Sequence, residues 1–248
     1  MVRSLLVRGL ICGLVAGVFG AIIAKLLGEG AVGKAIYFED QRYKALGEPP
    51  DPVVFTRTVQ STIGLLTGMV AFGIAVGGLY ALAYAIAQGR LGHVRARTTA
   101  AIVAGAAFVG MYLVPVMKYP ANPPSVGNPD TIGHRTALYF AMIVISVVTV
   151  VSAIVATRQL TPRLGAWNAA IVSGVGSIVV FIVAFEVLPG VHEVPTGFPA
   201  EVLWKFRIAS IAIQLTVWAT IGLLFGALTE RSLREPSARA PRRETVVT

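Results

Sequence analysis

The hydrophobic positions of this chain fall in long unbroken blocks, without the stripe of an amphipathic helix or the alternation of a half-buried strand. A membrane-spanning helix needs about 20 apolar residues at about 1.5 Å each, and six charge-poor runs are long enough to span. The pattern predicts an all-α integral membrane protein, a bundle of about six transmembrane helices. The count becomes five if the first run, which carries Arg8 and Lys25 near its ends, is not a span. The runs cover residues 5–27, 62–87, 98–117, 137–156, 167–188 and 208–228.

Composition agrees with lipid as the solvent. Of the 248 residues, 55% are apolar and 13% are charged, whereas soluble domains carry about 25% charged residues. A soluble enzyme does not fit this composition. The single cysteine, Cys12, excludes a disulfide framework and a CxxC site, and we expect it to be a packed helix residue. Because the chain has three histidines, any metal chemistry must use oxygen ligands or a partner protein.

The net charge of +9 reflects membrane topology in our interpretation, and we expect no nucleic-acid partner. With six spans, the chain ends and the second and fourth connections share one side, which carries 12 of the 21 basic residues and three of the 12 acidic ones. The opposite side is close to neutral. The positive-inside rule therefore predicts a multi-pass protein of the cell inner (plasma) membrane with both termini in the cytoplasm.

Two regions of different character divide the chain. Residues 1–231 form the predicted polytopic membrane domain. Residues 232–248 contain arginines, prolines and small side chains with almost no apolar content, so they cannot bury a core. We expect this segment to be a disordered basic cytoplasmic tail.

Glycines recur at four-residue intervals that suit close helix packing. Gly9, Gly13 and Gly17 form two consecutive steps, and three further pairs lie in later runs. Two interpretations are open for the first run: packing against a helix of the same chain, or docking of a helix from another subunit. The other pairs are 64 with 68, 73 with 77 and 222 with 226.

One segment echoes another within the chain. Residues 58–68 and 216–226 are identical at eight of eleven positions, and both are predicted to run inward from the outer face. This match indicates either a duplicated hairpin of parallel topology or chance within the small alphabet of membrane helices.

The predicted outer connections carry the candidate ligands. Glu186 lies at the outer end of the fifth run and is followed closely by His192 and Glu193. A carboxylate at the edge of the hydrocarbon needs a partner, so this group is either a cation entry site or an interfacial carboxylate in a salt bridge with Lys205 or Arg207.

A second group of candidates lies in the proline-rich connection before the fourth run. Asn122, Asp130 and His134 could coordinate a hard or borderline cation together with backbone carbonyls that proline leaves without intrachain donors. A purely structural cap is the alternative. The usual enzyme signatures, such as a nucleophile elbow or a phosphate loop, do not occur, and we expect no enzyme activity.

Several long strings resemble the CbtA family of probable cobalt transporter subunits. They are RTVQSTIGLLTG from Arg57, YLVPVMKYPANPP from Tyr112, RLGAWNAA from Arg163, HEVPTGFPAEVLWKFRIAS from His192 and WATIGLLFGALTER from Trp218. The resemblance spans about residues 1 to 231 and involves whole loop strings in the same order. It carries no agreed set of binding residues.

The resemblance implies a membrane subunit of a cobalt uptake system connected with cobalamin synthesis. Cobalt would be the transported substrate, with no permanently bound cofactor. The resemblance also implies a small partner, CbtB, with one span and a histidine-rich end. A scaffold or accessory subunit that stabilises a partner is the alternative, and a membrane enzyme comes third. The candidate ligands suit cobalt and nickel alike.

Overall fold

The computed structural model describes residues 2–47, 49, 54–92 and 94–238, and in these ranges the chain is helical with no strand. The described part contains five helices long and apolar enough to cross a membrane, which confirms the all-α membrane fold. Short wide turns of π-helix interrupt the first three. The helices are α1 (Val2–Leu46), α2 (Arg57–Ala87), α3 (Ala96–Lys118), α4 (Ile132–Val187) and α5 (Ala200–Ala238).

Helix α4 is a hairpin that contains the fourth and fifth predicted runs. A straight helix of its 56 residues would be about 84 Å long, yet Arg135 near its start lies 3.3 Å from Glu193 just after its end. The reversal occurs at Gly165, where φ is 76° and ψ is 159°, a conformation essentially restricted to glycine. The five helices therefore supply six apolar arms, and residues 132–164 and 166–187 are the two arms of α4.

The chain alternates between two ends of the bundle. One end, called here the arginine end, holds the start of α1, the connection 88–95, the reversal at Gly165 and the last turns of α5. The other, called the loop end, holds the end of the 45-residue α1, the start of α2 and the connections 119–131 and 188–199. At the arginine end, Arg97 and Glu230 form an ion pair at 2.5 Å that joins the start of α3 to α5.

Helix α1 extends well past the bundle at the loop end. Its 45 residues span about 68 Å, more than twice the hydrocarbon thickness of about 30 Å. Beyond the π-turn Ala24–Gly28 the helix becomes polar, and its Ala31 and Ala35 are buried against apolar residues of the loops. Phe38 packs edge-on against Phe198, with ring centroids 5.1 Å apart. The extension thus forms part of an ordered cap over the bundle.

A seam of bare backbone joins α1 to α2. The two helices run antiparallel, so that Gly9 faces Gly77, Gly13 faces Gly73 and Gly17 faces Met69. A methyl group at Gly17 would lie 2.5 Å from the Met69 carbonyl oxygen, which shows how closely the backbones approach. These glycines therefore pack within the chain, the first of the two interpretations of the first run.

The remaining glycine pairs behave differently from one another. Gly222 and Gly226 of α5 face Ala100 and Ala104 of α3, whereas a methyl group at Gly68 in α2 would meet no neighbouring atom within 4 Å. The two echoed segments both run from the loop end toward the arginine end, as a parallel duplication requires. Only the copy in α5 uses its glycines for packing.

Aromatic rings fill the centre between α1, α2, α3 and α5. Tyr80 and Tyr84 both pack edge-on against Phe225, with centroids 5.2 Å and 4.9 Å away. The Tyr80 hydroxyl donates to the Ala100 carbonyl at 2.7 Å. Cys12 is fully buried beside these rings, as expected for a packed helix residue.

The tail prediction concerns residues 232–248. Helix α5 continues to Ala238, beyond the predicted start of the tail. Residues 239–248 lie outside the described part of the chain, and their disorder stays a prediction.

Candidate functional site

Glu193, one of the predicted ligands, links two connections of the loop end. Its carboxylate accepts hydrogen bonds from the Asn128 backbone N–H and the Thr131 hydroxyl, both at 2.7 Å, and pairs with Arg135. The local fold explains this geometry, because the Asn128 side chain caps the 3₁₀ turn Pro129–Thr131 by accepting the Asp130 N–H, and the backbone N–H of Asn128 itself precedes the turn and is left to donate to Glu193. Glu193 thereby ties connection 188–199 to connection 119–131.

These contacts set the charge state of Glu193. The hydrogen bond from the Asn128 backbone N–H is the main reason why the pKa of this carboxyl lies below its ordinary value of 4.5. The Thr131 hydroxyl and the charges of Arg135 and His134 lower the pKa further. Glu193 is therefore a carboxylate at neutral pH.

Arg207 of α5 forms a second link to the proline-rich connection. Its guanidinium donates to the Asn122 side-chain oxygen at 3.2 Å and to the Ala121 carbonyl at 3.4 Å. One turn further toward the arginine end, the Tyr112 and Ser210 hydroxyls are 2.8 Å apart. Polar contacts thus continue from the cap into the first turns between α3 and α5.

The end of α3 holds the start of connection 188–199. Lys118 donates to the Phe185 carbonyl, one of the last carbonyls of α4, which have no intrahelical donor. The Tyr119 hydroxyl donates to the Pro189 carbonyl at 2.9 Å. The two connections are therefore fixed to each other at several points and form a rigid rim.

Two neighbouring cavities lie within this rim and are called here the loop-end cleft. Their volumes are about 370 and 540 Å³, and Arg207 lines both. Arg135, Asn122 and Glu193 line the smaller cavity, while Lys118 and His192 line the larger one. Three permanent cations against one carboxylate give the loop-end cleft a net positive charge.

Comparison with known proteins supplies the classification. The model of a family described as "Probable cobalt transporter subunit (CbtA)" matches residues 2–230. The chain belongs to the CbtA family. This match confirms the resemblance carried by the loop strings and agrees with a multi-pass membrane protein of a transporter subunit family. Neither a curated protein nor a solved structure matches the chain.

The six predicted ligands of this CbtA chain fall at different places around the loop end. Asp130 and His134 are exposed next to the Glu193 contacts, and Asn122 is bound to Arg207. His192 lines the larger cavity. Among the described residues, no three His, Cys, Asp or Glu side chains are grouped as a metal ion would require.

Glu186 lies apart from the loop-end cleft, exposed near the end of α4. The salt-bridge alternative for this residue is not formed as proposed, because Lys205 pairs with Glu201 at 2.5 Å and Arg207 binds Asn122. The Glu186 carboxylate takes part in none of the ion pairs among the described residues.

The convergence of Lys118, Arg135 and Arg207 in one cleft did not emerge from sequence reasoning. Each residue stands beside the end of an apolar run, and the side they share is close to neutral overall. A signal was nevertheless present, because these three cations lie at helix ends that must meet once the fourth and fifth runs form a hairpin. The CbtA loop end is thus a positively lined cleft with one carboxylate held by Arg135.

Proposed function

We propose that this chain is the membrane subunit of a cobalt uptake system that serves cobalamin synthesis. The observation that carries the proposal is the family match across residues 2–230, which includes all six apolar arms up to the last turns of α5. The neutral balance of the loop side and the basic balance of the other support both termini in the cytoplasm and the loop-end cleft outside.

In this proposal the metal contacts the chain at the loop end. Asp130, His134 and Glu193 stand on the rim around the start of α4, and His192 faces the larger cavity. Asn122 and Glu186 complete the set. A cation that binds Oε2 of Glu193 competes with the Arg135 guanidinium, so in this proposal cobalt binding and opening of the ion pair are coupled.

The positive charge of the loop-end cleft is a reason for a partner protein to deliver the metal. A bare divalent cation is repelled by Lys118, Arg135 and Arg207, and the ligands of this chain are dispersed. A CbtB-like subunit with histidines would supply the missing nitrogen ligands by delivering the ion already coordinated. Once inside the pathway, a divalent ion gains about 4.6 kcal/mol per 100 mV of membrane potential, since one charge gains about 2.3.

A scaffold that stabilises the partner without conducting metal is the second candidate. The tightly packed aromatic centre around Tyr80 and Phe225 favours it, because fully buried rings leave no open path along that axis. Cobalt accumulation in cells distinguishes the two. Uptake that needs both proteins and responds to substitutions in this chain supports the transport subunit, whereas uptake by the partner alone supports the scaffold.

The ligand assignment is tested with single substitutions measured at limiting and saturating cobalt. We expect His192→Ala to lower uptake mainly at limiting metal, because a ligand is lost while the pathway remains. Glu186→Gln should lower uptake at both concentrations. Glu201→Gln is the matched control, an exposed carboxylate of the same end, and should leave uptake unchanged. Normal uptake by His192→Ala with Glu186→Gln combined, at normal protein levels, would remove both residues from the site.

The coupling of Arg135 to Glu193 has its own test. If the ion pair competes with cobalt, Arg135→Gln lowers the cobalt concentration needed for half-maximal uptake, while Glu193→Gln raises it. If Glu193 only holds the two connections together, both substitutions lower the amount of folded protein and neither changes the half-maximal concentration. The two outcomes move different quantities and are therefore separable.

Topology is tested with reporters. Fusions after Thr248 and within connection 88–95 should report the cytoplasm, and a fusion within connection 188–199 should report the outside. A carboxyl-terminal reporter on the outside would contradict the proposed orientation.

A further inference from the structure

A third cavity opens on the side of the bundle at the arginine end and is called here the lateral cleft. It encloses about 400 Å³ between α2, α3 and the first arm of α4, within the range of about 300–1,000 Å³ that is usual for ligand pockets. Its wall is apolar except for two arginines, Arg90 and Arg158. The apolar wall includes Ile86, Ile102, Met111, Val147, Val151 and Val155.

The lateral cleft exists because the first arm of α4 contacts the bundle unevenly. At the loop half it packs against the π-turn Val109–Leu113, but toward the arginine end α3 turns its face to α5 instead. The apolar side chains there stay accessible, with Ile86 65% exposed and Val151 55% exposed. An accessible apolar groove beside lipid can bind an apolar chain that fits it.

Charge distinguishes the lateral cleft from an ordinary lipid-facing surface. Arg90 lies just after the end of α2, and one of its N–H groups donates to the Ile86 carbonyl, which leaves most of its donors free. Arg158 is exposed on the facing arm. The four ion pairs among the described residues involve neither side chain. Two guanidinium groups without a carboxylate therefore border one apolar groove.

We propose that the lateral cleft binds an anionic phospholipid of the leaflet at the arginine end, with its phosphate at Arg90 and Arg158 and an acyl chain along the apolar wall. A free anion would use the two arginines but leave the apolar groove to be filled by a separate molecule. An apolar helix of another protein would bury two unpaired arginines beside it, which is costly. An amphiphile with one negative headgroup satisfies both parts of the lateral cleft.

The test is lipid titration of the full-length purified chain in neutral detergent, followed by native mass spectrometry. Phosphatidylglycerol should bind more tightly than phosphatidylcholine. Replacing both arginines (Arg90→Gln with Arg158→Gln) should weaken phosphatidylglycerol binding about 30-fold and leave phosphatidylcholine unaffected, because each basic residue near an anionic lipid contributes about 1 kcal/mol. Arg95→Gln with Arg163→Gln is the matched control, since both are exposed arginines of the same end outside the lateral cleft. The control should bind both lipids normally.

A second variant tests the apolar wall without changing charge. Ala83 is exposed and lines the lateral cleft, so Ala83→Trp should fill it and reduce the binding of both lipids without loss of folded protein. Equal binding by the double arginine variant and its control would overturn the proposal. Displacement of phosphatidylglycerol by inorganic phosphate would reveal a free-anion site, and a change of oligomeric mass in Ala83→Trp with unchanged lipid binding would reveal a protein occupant. Either result would also overturn it.

Discussion

The seam between α1 and α2 makes Gly13→Ala the most direct test of the packing. A methyl group at Gly13 would lie 2.8 Å from the Gly73 carbonyl carbon, and closer still to its oxygen, whereas ordinary contacts begin near 3.4 Å. Both obstacles are backbone atoms, which cannot rotate away. The two helices must therefore separate, and the neighbouring contacts at Gly9 and Gly17 must open with them.

The size of the effect follows from two opposing contributions. A gap of about 0.5–1 Å forfeits a quarter to a half of each dispersion contact, and overpacked interiors lose about 1–3 kcal/mol. Alanine is the better helix former by about 1 kcal/mol, which partly offsets the loss. We expect Gly13→Ala to lower the free energy of unfolding by about 1–3 kcal/mol. A methyl group at Gly68 would meet no neighbouring atom within 4 Å, so Gly68→Ala should leave the protein as stable or more stable.

The assay is reversible unfolding by sodium dodecyl sulfate in mixed micelles, followed by circular dichroism. The variants are compared with the slope of the unfolding transition held constant. Combining Gly13→Ala with Gly73→Ala should cost less than the sum of the two, because one separation relieves both clashes. Equal stability of Gly13→Ala and Gly68→Ala would refute the close approach of α1 and α2.

Three further predictions use the same unfolding measurement. Gly165→Ala places a side chain in a backbone conformation reserved for glycine and should lower the free energy of unfolding by about 1–3 kcal/mol. Gly174→Ala, in a helix with open space around it, should cause no such loss, and equal stability of the two variants would contradict the hairpin. Tyr80→Phe removes a buried hydrogen bond and should lower the free energy of unfolding by about 0.5–1.5 kcal/mol, whereas Tyr37→Phe at an exposed site should leave it unchanged. Unchanged stability of Tyr80→Phe would show that this hydrogen bond does not stabilise the fold. The pKa of Glu193 is lowered in the folded protein, so its carboxylate stabilises the cap fully at pH values above the ordinary pKa of 4.5, and this stabilisation is lost as the pH falls through the lower folded pKa. Glu193→Gln should therefore remove part of the loss of stability at acidic pH. The same dependence of stability on pH in the variant and the original protein would contradict this contribution.

Much of the candidate site could not be predicted because it depends on side chains far apart in the sequence. Glu193 was predicted as a ligand because it is close in sequence to Glu186 and His192. Its actual partners, Arg135 and Thr131, are on the other side of the α4 hairpin. Only the reversal at one glycine brings them together, and no local pattern encodes that distance.

The amino-acid sequence by itself determined the membrane class, the six apolar arms and the family. The membrane class and the arms depend on composition and on apolar block length, which the thickness of the bilayer sets, and the family depends on whole loop strings; all of these are present in the sequence before it folds. The grouping of basic residues at alternate connections likewise follows from the order of the arms along the chain. The candidate ligands could be named from the sequence, but their separation could not.

The tertiary structure decided which surfaces face each other. Equal glycine motifs became a packed seam in α1 and an open face around Gly68 in α2, because helix neighbours are chosen by the whole bundle. In the same way Lys118, Arg135 and Arg207 became one positive cleft, and Arg90 and Arg158 became the rim of a lateral cleft. Charge and apolar content are written in the sequence, but the electrostatic field of a site depends on distances that only packing sets.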